Sequence, residues 1–154
     1  MRAVIQRVSS ASVISDGVPT GKIEKGLAIL LGVKKGDAEE DAASLAVKIA
    51  KLRIFEDEDE KMNLSVLDVG GGAIVVSNFT LCANYAHGNR PDYFGAEAPG
   101  EANRLYEYFV AELRKYISHV DTGVFGAHMD YSIQNDGPIT IVMDSEVLLK
   151  KEIR

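Results

Sequence analysis

From Ala3 to Val8 apolar and polar positions alternate, with Val4, Gln6 and Val8 on one face and Ala3, Ile5 and Arg7 on the other. That period belongs to a half-buried strand. Arg7 falls with the apolar set, which leaves two readings. Either its guanidinium is enclosed and bonded to acceptors, because a buried unpaired charge is costly, or it sits near a strand end and reaches water. Val13-Ile14 and Lys22-Ile23 flank Asp16-Gly17-Val18-Pro19, which predicts a hairpin with Asp-Gly as its turn. Leu27 to Val33 is a near-continuous apolar run bracketed at its exit by Gly32 and Gly36. A strand of that kind is covered on both faces.

The period changes after Gly36. Asp37-Ala38-Glu39-Glu40 predicts a helix start, with Asp37 accepting from backbone N–H groups and Glu40 reaching back. Ala42, Leu45, Ala46, Ile49 and Leu52 then share one stripe, with Lys48 and Lys51 opposite, so this helix packs on a sheet. Pro99 to Ile117 repeats the pattern, with Leu105, Phe109, Leu113 and Tyr116-Ile117 turned to the core. Between the two helices, Gly70-Gly71-Gly72 reads as a turn and Gly72 to Val76 as a buried strand. The glycines lack the spacing of a phosphate-binding fingerprint. Asn84 to Pro99 reads as a long irregular loop containing Gly88, Pro91 and Gly95, and loops of that length are more often functional than filler. Two helices among seven or more strands predict an α+β fold: a mixed, barrel-like β-sheet flanked by two main helices, in a single domain spanning 1–154.

Composition narrows the partners. A formal net charge of -6 argues against a protein that grips long nucleic acid by its phosphates, so no DNA partner is expected and any RNA contact is local. Hydrophobic residues make up 46% of the chain, yet no apolar run approaches the roughly 20 residues of a membrane helix. The opening Met1 to Arg7 is unlike a signal peptide, and the single cysteine, Cys82, fits a reducing compartment. Cytoplasmic residence is the expectation, with no membrane partner. Three histidines at unrelated positions do not make a metal site. The five acids Glu56 to Glu60 lack the alternating ligands and central glycine of a calcium loop and read as solvated. No cofactor is expected.

Candidate chemistry gathers at two places. The strand over 72–76 runs into Ser77-Asn78-Phe79-Thr80-Leu81, where small hydroxyl and amide side chains end a buried strand. Such an end either presents backbone N–H groups to a bound polar atom or is simply a polar turn. The second place is Asn135-Asp136-Gly137-Pro138-Ile139-Thr140. It reads as a hairpin corner or, with a cis Gly-Pro bond, as a pair of carbonyls directed to one side. Phe125 and Met129 suit a pocket wall as well as they suit a core. Arg90 suits a phosphate or an ordinary surface. His87 and His128 offer general bases for Cys82, though nothing local activates that thiol.

With SNFTL and NDGPIT both present, the chain closely resembles the D-aminoacyl-tRNA deacylases, which carry Ser-Gln-Phe-Thr-Leu and Asn-Asp-Gly-Pro-Val-Thr at these places. MRAVIQRVSSASV, LRIFEDEDEKMN, HGNRPDYF and GVFGAHMDYSIQNDGPIT extend the likeness over nearly the whole chain. Asn78 departs from the usual Gln by one methylene, and Glu60 stands where Gly is common. The resemblance implies a homodimer in which a Gly-cisPro element, Gly137-Pro138, reaches into the partner's site. It implies hydrolysis of the ester between a D-amino acid, or glycine mischarged on tRNA-Ala, and the tRNA 3′ end. Ser77, Asn78, Phe79 and Thr80 are then catalytic. Gly137, Pro138, Arg7, Phe125 and Met129 are then substrate-binding, with Phe79 and Thr80 N–H groups as an oxyanion hole and Arg7 holding the Gly-Pro element. The other reading is a non-catalytic module that binds an RNA 3′ end or a nucleotide.

Overall fold

The structure is a computed structural model and describes residues 1–152. In chain order it contains β1 (Arg2–Ser15), β2 (Val18–Ile23), β3 (Gly26–Gly32), α1 (Glu39–Ala50), β4 (Phe55–Glu56), β5 (Met62–Leu64) and β6 (Gly72–Ser77). A 3-10 turn (Phe79–Cys82), α2 (Pro99–Arg114), β7 (Val120–Thr122), β8 (Met129–Asp144) and α3 (Ser145–Glu152) follow. β1 is the spine. One of its edges pairs with β8 from Arg2 to Ser15, and the other pairs with β3 and then β2. β3 continues to β6 and β6 to β7, both in parallel. Parallel neighbours need a crossover, and α1 and α2 supply the two.

The sheet order β2-β1-β3-β6-β7 curls until its ends meet, and Lys22 N–H donates to Asp121 Oδ2 across the seam at 2.8 Å. This is the barrel-like α+β sheet that the patterning predicts. β3 and β6 run down its middle. Leu27, Ile29, Leu31, Ala73 and Val75 face Leu45, Ile49, Leu105, Phe109 and Leu113 of the helices. Ala28, Ile74 and Val76 face Val8, Val13 and Ile23 inside the curl. Coverage on both faces is why these two strands read as unbroken apolar runs. Truncating a buried ring such as Phe109 in such a core costs roughly 3–5 kcal/mol.

Several details differ from the sequence reading. The first strand runs to Ser15 rather than Val8, and its Asp16 (φ 46°) and Gly17 (φ 79°) take the left-handed pair that a tight two-residue hairpin turn requires. Helix α1 starts one residue late. Asp41, not Glu40, bonds back to Ala38 N–H at 2.8 Å, and Asp37 instead accepts from Lys34 N–H and the Met1 ammonium. Tyr116 is 39% exposed rather than in the core, because it lies past the end of α2, with the Lys51 ammonium 5.9 Å from its ring centre. A third helix, α3, follows the closing strand without any periodic signal strong enough to announce it. Asp136 to Ile139 is not a hairpin corner. Gln6 pairs with Thr140 and Val8 with Asn135, so these four residues are extruded as a blister from one continuous strand.

Candidate active site

β6 ends in the centre of the sheet, so whatever follows it must leave the ladder. Asn78 N–H still pairs with Leu31 O at 2.8 Å, and then the chain tightens into the 3-10 turn. Two contacts hold that turn. Arg2 Nη1 donates to Leu81 O at 3.1 Å, and β3 exits directly beneath. A Cβ on Gly32 would lie 3.0 Å from Leu81 Cβ and 3.1 Å from Asn78 O, so glycine is what lets the backbones approach.

The first N–H groups of any helical turn lack partners within it. Among the described residues, Phe79 N–H and Thr80 N–H donate to no backbone carbonyl. Asn78 Oδ1 accepts the Thr80 hydroxyl. The departure from Gln therefore leaves an amide that orients Thr80, whose oxygen lone pairs stay available to a ligand.

These groups open into a cleft of about 880 Å³. Its floor is Leu30, Val76 and Tyr131, one wall is the start of α2 with Ala98 and Pro99, and the other is Phe125 to Met129. Ser77, Asn78, Phe79, Thr80, Phe125 and Met129 are thus brought together as the sequence suggests. Apart from tyrosines, the ionisable side chains on the wall are Glu97 and His128. Glu97 accepts from Ala98 N–H at 2.9 Å, and the His128 side chain is 83% exposed. A mostly neutral cleft with unpaired N–H groups can receive a developing oxyanion.

Tyr131, in the lining, and Tyr106, in the core outside the lining, were not legible as supports of the site. Tyr131 hydroxyl accepts from Ile29 N–H (3.1 Å) and donates to Ile74 O (3.2 Å), while Tyr106 donates to Val75 O at 2.7 Å. Both brace the strands under the cleft. Burial pushes the Tyr106 phenol up to about 12 and raises Tyr131 as well, so both stay protonated donors. Their only sequence signal is an aromatic on a strand or helix, which core packing equally explains.

Arg7, Gly137 and Pro138 lie elsewhere and do not line the cleft of their own chain. Arg7 is 6% exposed and meets the enclosed alternative. Its Nη1 donates to Ile54 O at 2.9 Å, and its Nε to Asp136 O at 3.1 Å and toward Asp136 Oδ2 at 3.3 Å. Gly137, Pro138 and Asp136 project outward, exposed, with the Gly137-Pro138 peptide cis. Cys82 lies outside the cleft lining. Its thiol turns to Val33 O at 3.6 Å and burial pushes its pKa up, the opposite of what a nucleophilic thiolate requires. Among the described residues no group of three or more acidic, histidine or cysteine side chains is placed to hold a metal, and no helix is long and apolar enough to cross a membrane.

Comparison with known proteins extends this picture. A sequence profile described as D-Tyr-tRNA(Tyr) deacylase matches residues 4–144. The D-aminoacyl-tRNA deacylase of Koribacter versatilis is 55% identical over 95% of this chain and 98% of its own length. That of Persephonella marina is 55% identical over 96% and 100%. A solved structure of a protein named c-Myc DNA Unwinding Element Binding Protein is 39% identical with a TM-score of 0.88, covering 94% of this chain and 98% of its own. A second, of a probable eukaryotic D-amino acid tRNA deacylase, shares the fold at 17% identity and a TM-score of 0.75, covering 93% and 98%.

Proposed function

This chain belongs to the D-Tyr-tRNA(Tyr) deacylase family, hydrolases of the aminoacyl-tRNA ester bond, and we propose that its cleft proofreads chirality with a gate supplied by a second copy. The observation that carries this reading is the pair of Phe79 and Thr80 N–H groups, free of backbone partners, on the wall of a mostly neutral cleft. Ester hydrolysis places negative charge on the carbonyl oxygen as the nucleophile adds. Two preorganised N–H donors stabilise that charge far better than water does.

The nucleophile is water, assisted by the 2′-OH of the terminal ribose. Water oxygen bonds to the carbonyl carbon and the oxyanion collapses. The C–O bond to the ribose then breaks, and the 3′ oxygen leaves with a proton. Free tRNA and the D-amino acid result. Thr80, with its proton directed to Asn78, positions the substrate and does not attack. Phe125 and Met129 line the wall. Ser77 ends β6 and closes the parallel ladder opposite Leu31.

Chirality is read by the carbonyls of Gly137 and Pro138 of a second copy in a homodimer. They bind the substrate amino group and leave no space for a side chain on the L face. Glycine has no side chain to exclude, so glycine mischarged on tRNA-Ala is also a substrate. The exposure of the blister, its anchoring by Arg7 and its absence from the lining of its own cleft support the reading. The work belongs to the cytoplasm, where tRNA is charged.

The test is hydrolysis of D-Tyr-tRNA, L-Tyr-tRNA and Gly-tRNA-Ala by the purified protein. Loss of the D and glycyl esters with the L ester spared is the expected result, whereas inertness toward all three overturns it. The second reading would then stand, a non-catalytic module that binds an RNA 3′ end or a nucleotide. The 39% identical protein, named for binding a DNA unwinding element, favours it, and the net charge of -6 weighs against a long duplex.

A further inference from the structure

The segment 84–95 beside the cleft is ordered by its own hydrogen bonds. Asn84 and Asp92 exchange two backbone bonds of 2.8 and 2.9 Å. Asn84 Oδ1 accepts from Ala86 N–H and Asp92 Oδ1 from Phe94 N–H, and Lys35 N–H donates to Gly95 O at 2.9 Å. A loop held this way has no need of large apolar side chains in water. Yet Tyr85 is 82% exposed and Phe94 78%, and neither packs on the core.

One aromatic contact joins this loop to the cleft. Phe79, 57% exposed, stands on the rim and meets Tyr93 edge-to-face, with ring centres 5.0 Å apart. Arg90 at the loop tip is exposed and makes no ion pair among the described residues. In a chain of net charge -6, a free guanidinium in a loop that also carries unburied aromatics is a local exception. Its chemistry is that of single-stranded nucleic acid, whose bases stack on aromatic rings and whose phosphates pair with Arg. An aliphatic partner surface would call for Leu and Ile instead.

Resting on the deacylase reading above, we propose that the loop 84–95 is a stacking platform for the unpaired nucleotides just 5′ of the terminal adenosine. Tyr85 and Phe94 offer ring faces to bases, and Arg90 pairs with a phosphate between them. The platform lengthens the grip on the RNA end without a basic groove, which explains how an acidic protein holds tRNA locally.

The experiment compares two substrates, D-Tyr-tRNA and the minimal ester 3′-O-(D-tyrosyl)adenosine, which has no nucleotide 5′ of its adenosine. For Tyr85→Ala and Phe94→Ala, kcat/KM on D-Tyr-tRNA should fall roughly ten-fold each, with the minimal ester hydrolysed at the wild-type rate. For Arg90→Gln, the salt dependence of KM on D-Tyr-tRNA should flatten by about 0.7 in the log–log slope. Equal losses on both substrates, no loss on either, or a changed oligomeric state of the Tyr85 or Phe94 variants would overturn the platform, the last assigning the loop to a contact between copies. A wild-type protein inert toward both esters would instead overturn the deacylase reading, and the platform with it.

Discussion

The cleft at Ser77–Cys82 and the blister at Asp136–Ile139 are both interruptions of the sheet, but they are made in opposite ways. At the cleft a strand stops in the middle of the sheet, and the turn after it, whose first N–H groups meet no backbone carbonyl, lines a hollow together with apolar side chains. At the blister a strand continues while four residues are pushed out of register, and Asp136, Gly137 and Pro138 stand exposed. The first is concave and rich in donors. The second is convex, and its Gly137 and Pro138 carbonyls can only accept. An aminoacyl ester needs donors for its carbonyl oxygen and acceptors for its ammonium group. On the proposed reading the two regions are complementary halves of one site, the second half coming from a second copy.

They are also held differently. Arg2, backbone bonds and the close approach at Gly32 fix the cleft turn, whereas the blister is tied across its base by Asn135, whose Oδ1 accepts from Ile139 N–H at 3.0 Å, and anchored to the body by the buried Arg7. Arg7→Met should have the largest effect. It removes the donor to Ile54 O and Asp136 O, which should cost about 2–4 kcal/mol in urea unfolding and loosen the D-over-L preference. Retained stability with retained discrimination would show that the blister stands without its anchor.

Gly137→Ala sharpens the comparison from the other side. Gly137 has φ 135°, a conformation that side chains rarely adopt, and an added Cβ would lie 3.0 Å from Ile139 and 3.4 Å from Arg7 Nη2. The D-to-L ratio of kcat/KM should fall at least about ten-fold. An unchanged ratio would remove the blister from the chirality gate.

Within the cleft, Thr80→Val keeps the shape and deletes the hydroxyl. Activity on D-Tyr-tRNA should stay above about a tenth of wild type. A fall of several powers of ten would make Thr80 the nucleophile instead. The smallest expected effect lies in a loop belonging to neither region. Glu60 has φ 60°, the left-handed conformation that glycine adopts freely, so Glu60→Gly should raise stability by up to about 1 kcal/mol and leave both esters' rates alone. Thermal melts and single-turnover assays on the same preparation check both halves of that statement.

Local regularities in the residues were enough for much of this molecule. Alternation marked β1, unbroken apolar runs marked β3 and β6, helical stripes marked α1 and α2, and Asp16-Gly17 marked the first turn, because each follows from the geometry of a few neighbouring residues and one apolar environment. Ser77 to Thr80 was legible as a candidate site for the same reason: a buried strand ending in small polar groups is a local signal. Glu60 was legible as a departure from glycine before its positive φ was known.

Only the tertiary structure decided the rest, since the deciding contacts join residues far apart in the chain. Whether Arg7 is enclosed depends on Ile54 and Asp136, 47 and 129 positions away. Whether Asn135–Thr140 turns a corner or bulges from a strand depends on β1 continuing beside it to Ser15. The bracing hydroxyls of Tyr106 and Tyr131 find their carbonyls 31 and 57 positions away, and no spacing rule reaches that far. Periodicity reports the environment of a stretch, and a partner is reported only once the chain has closed on itself.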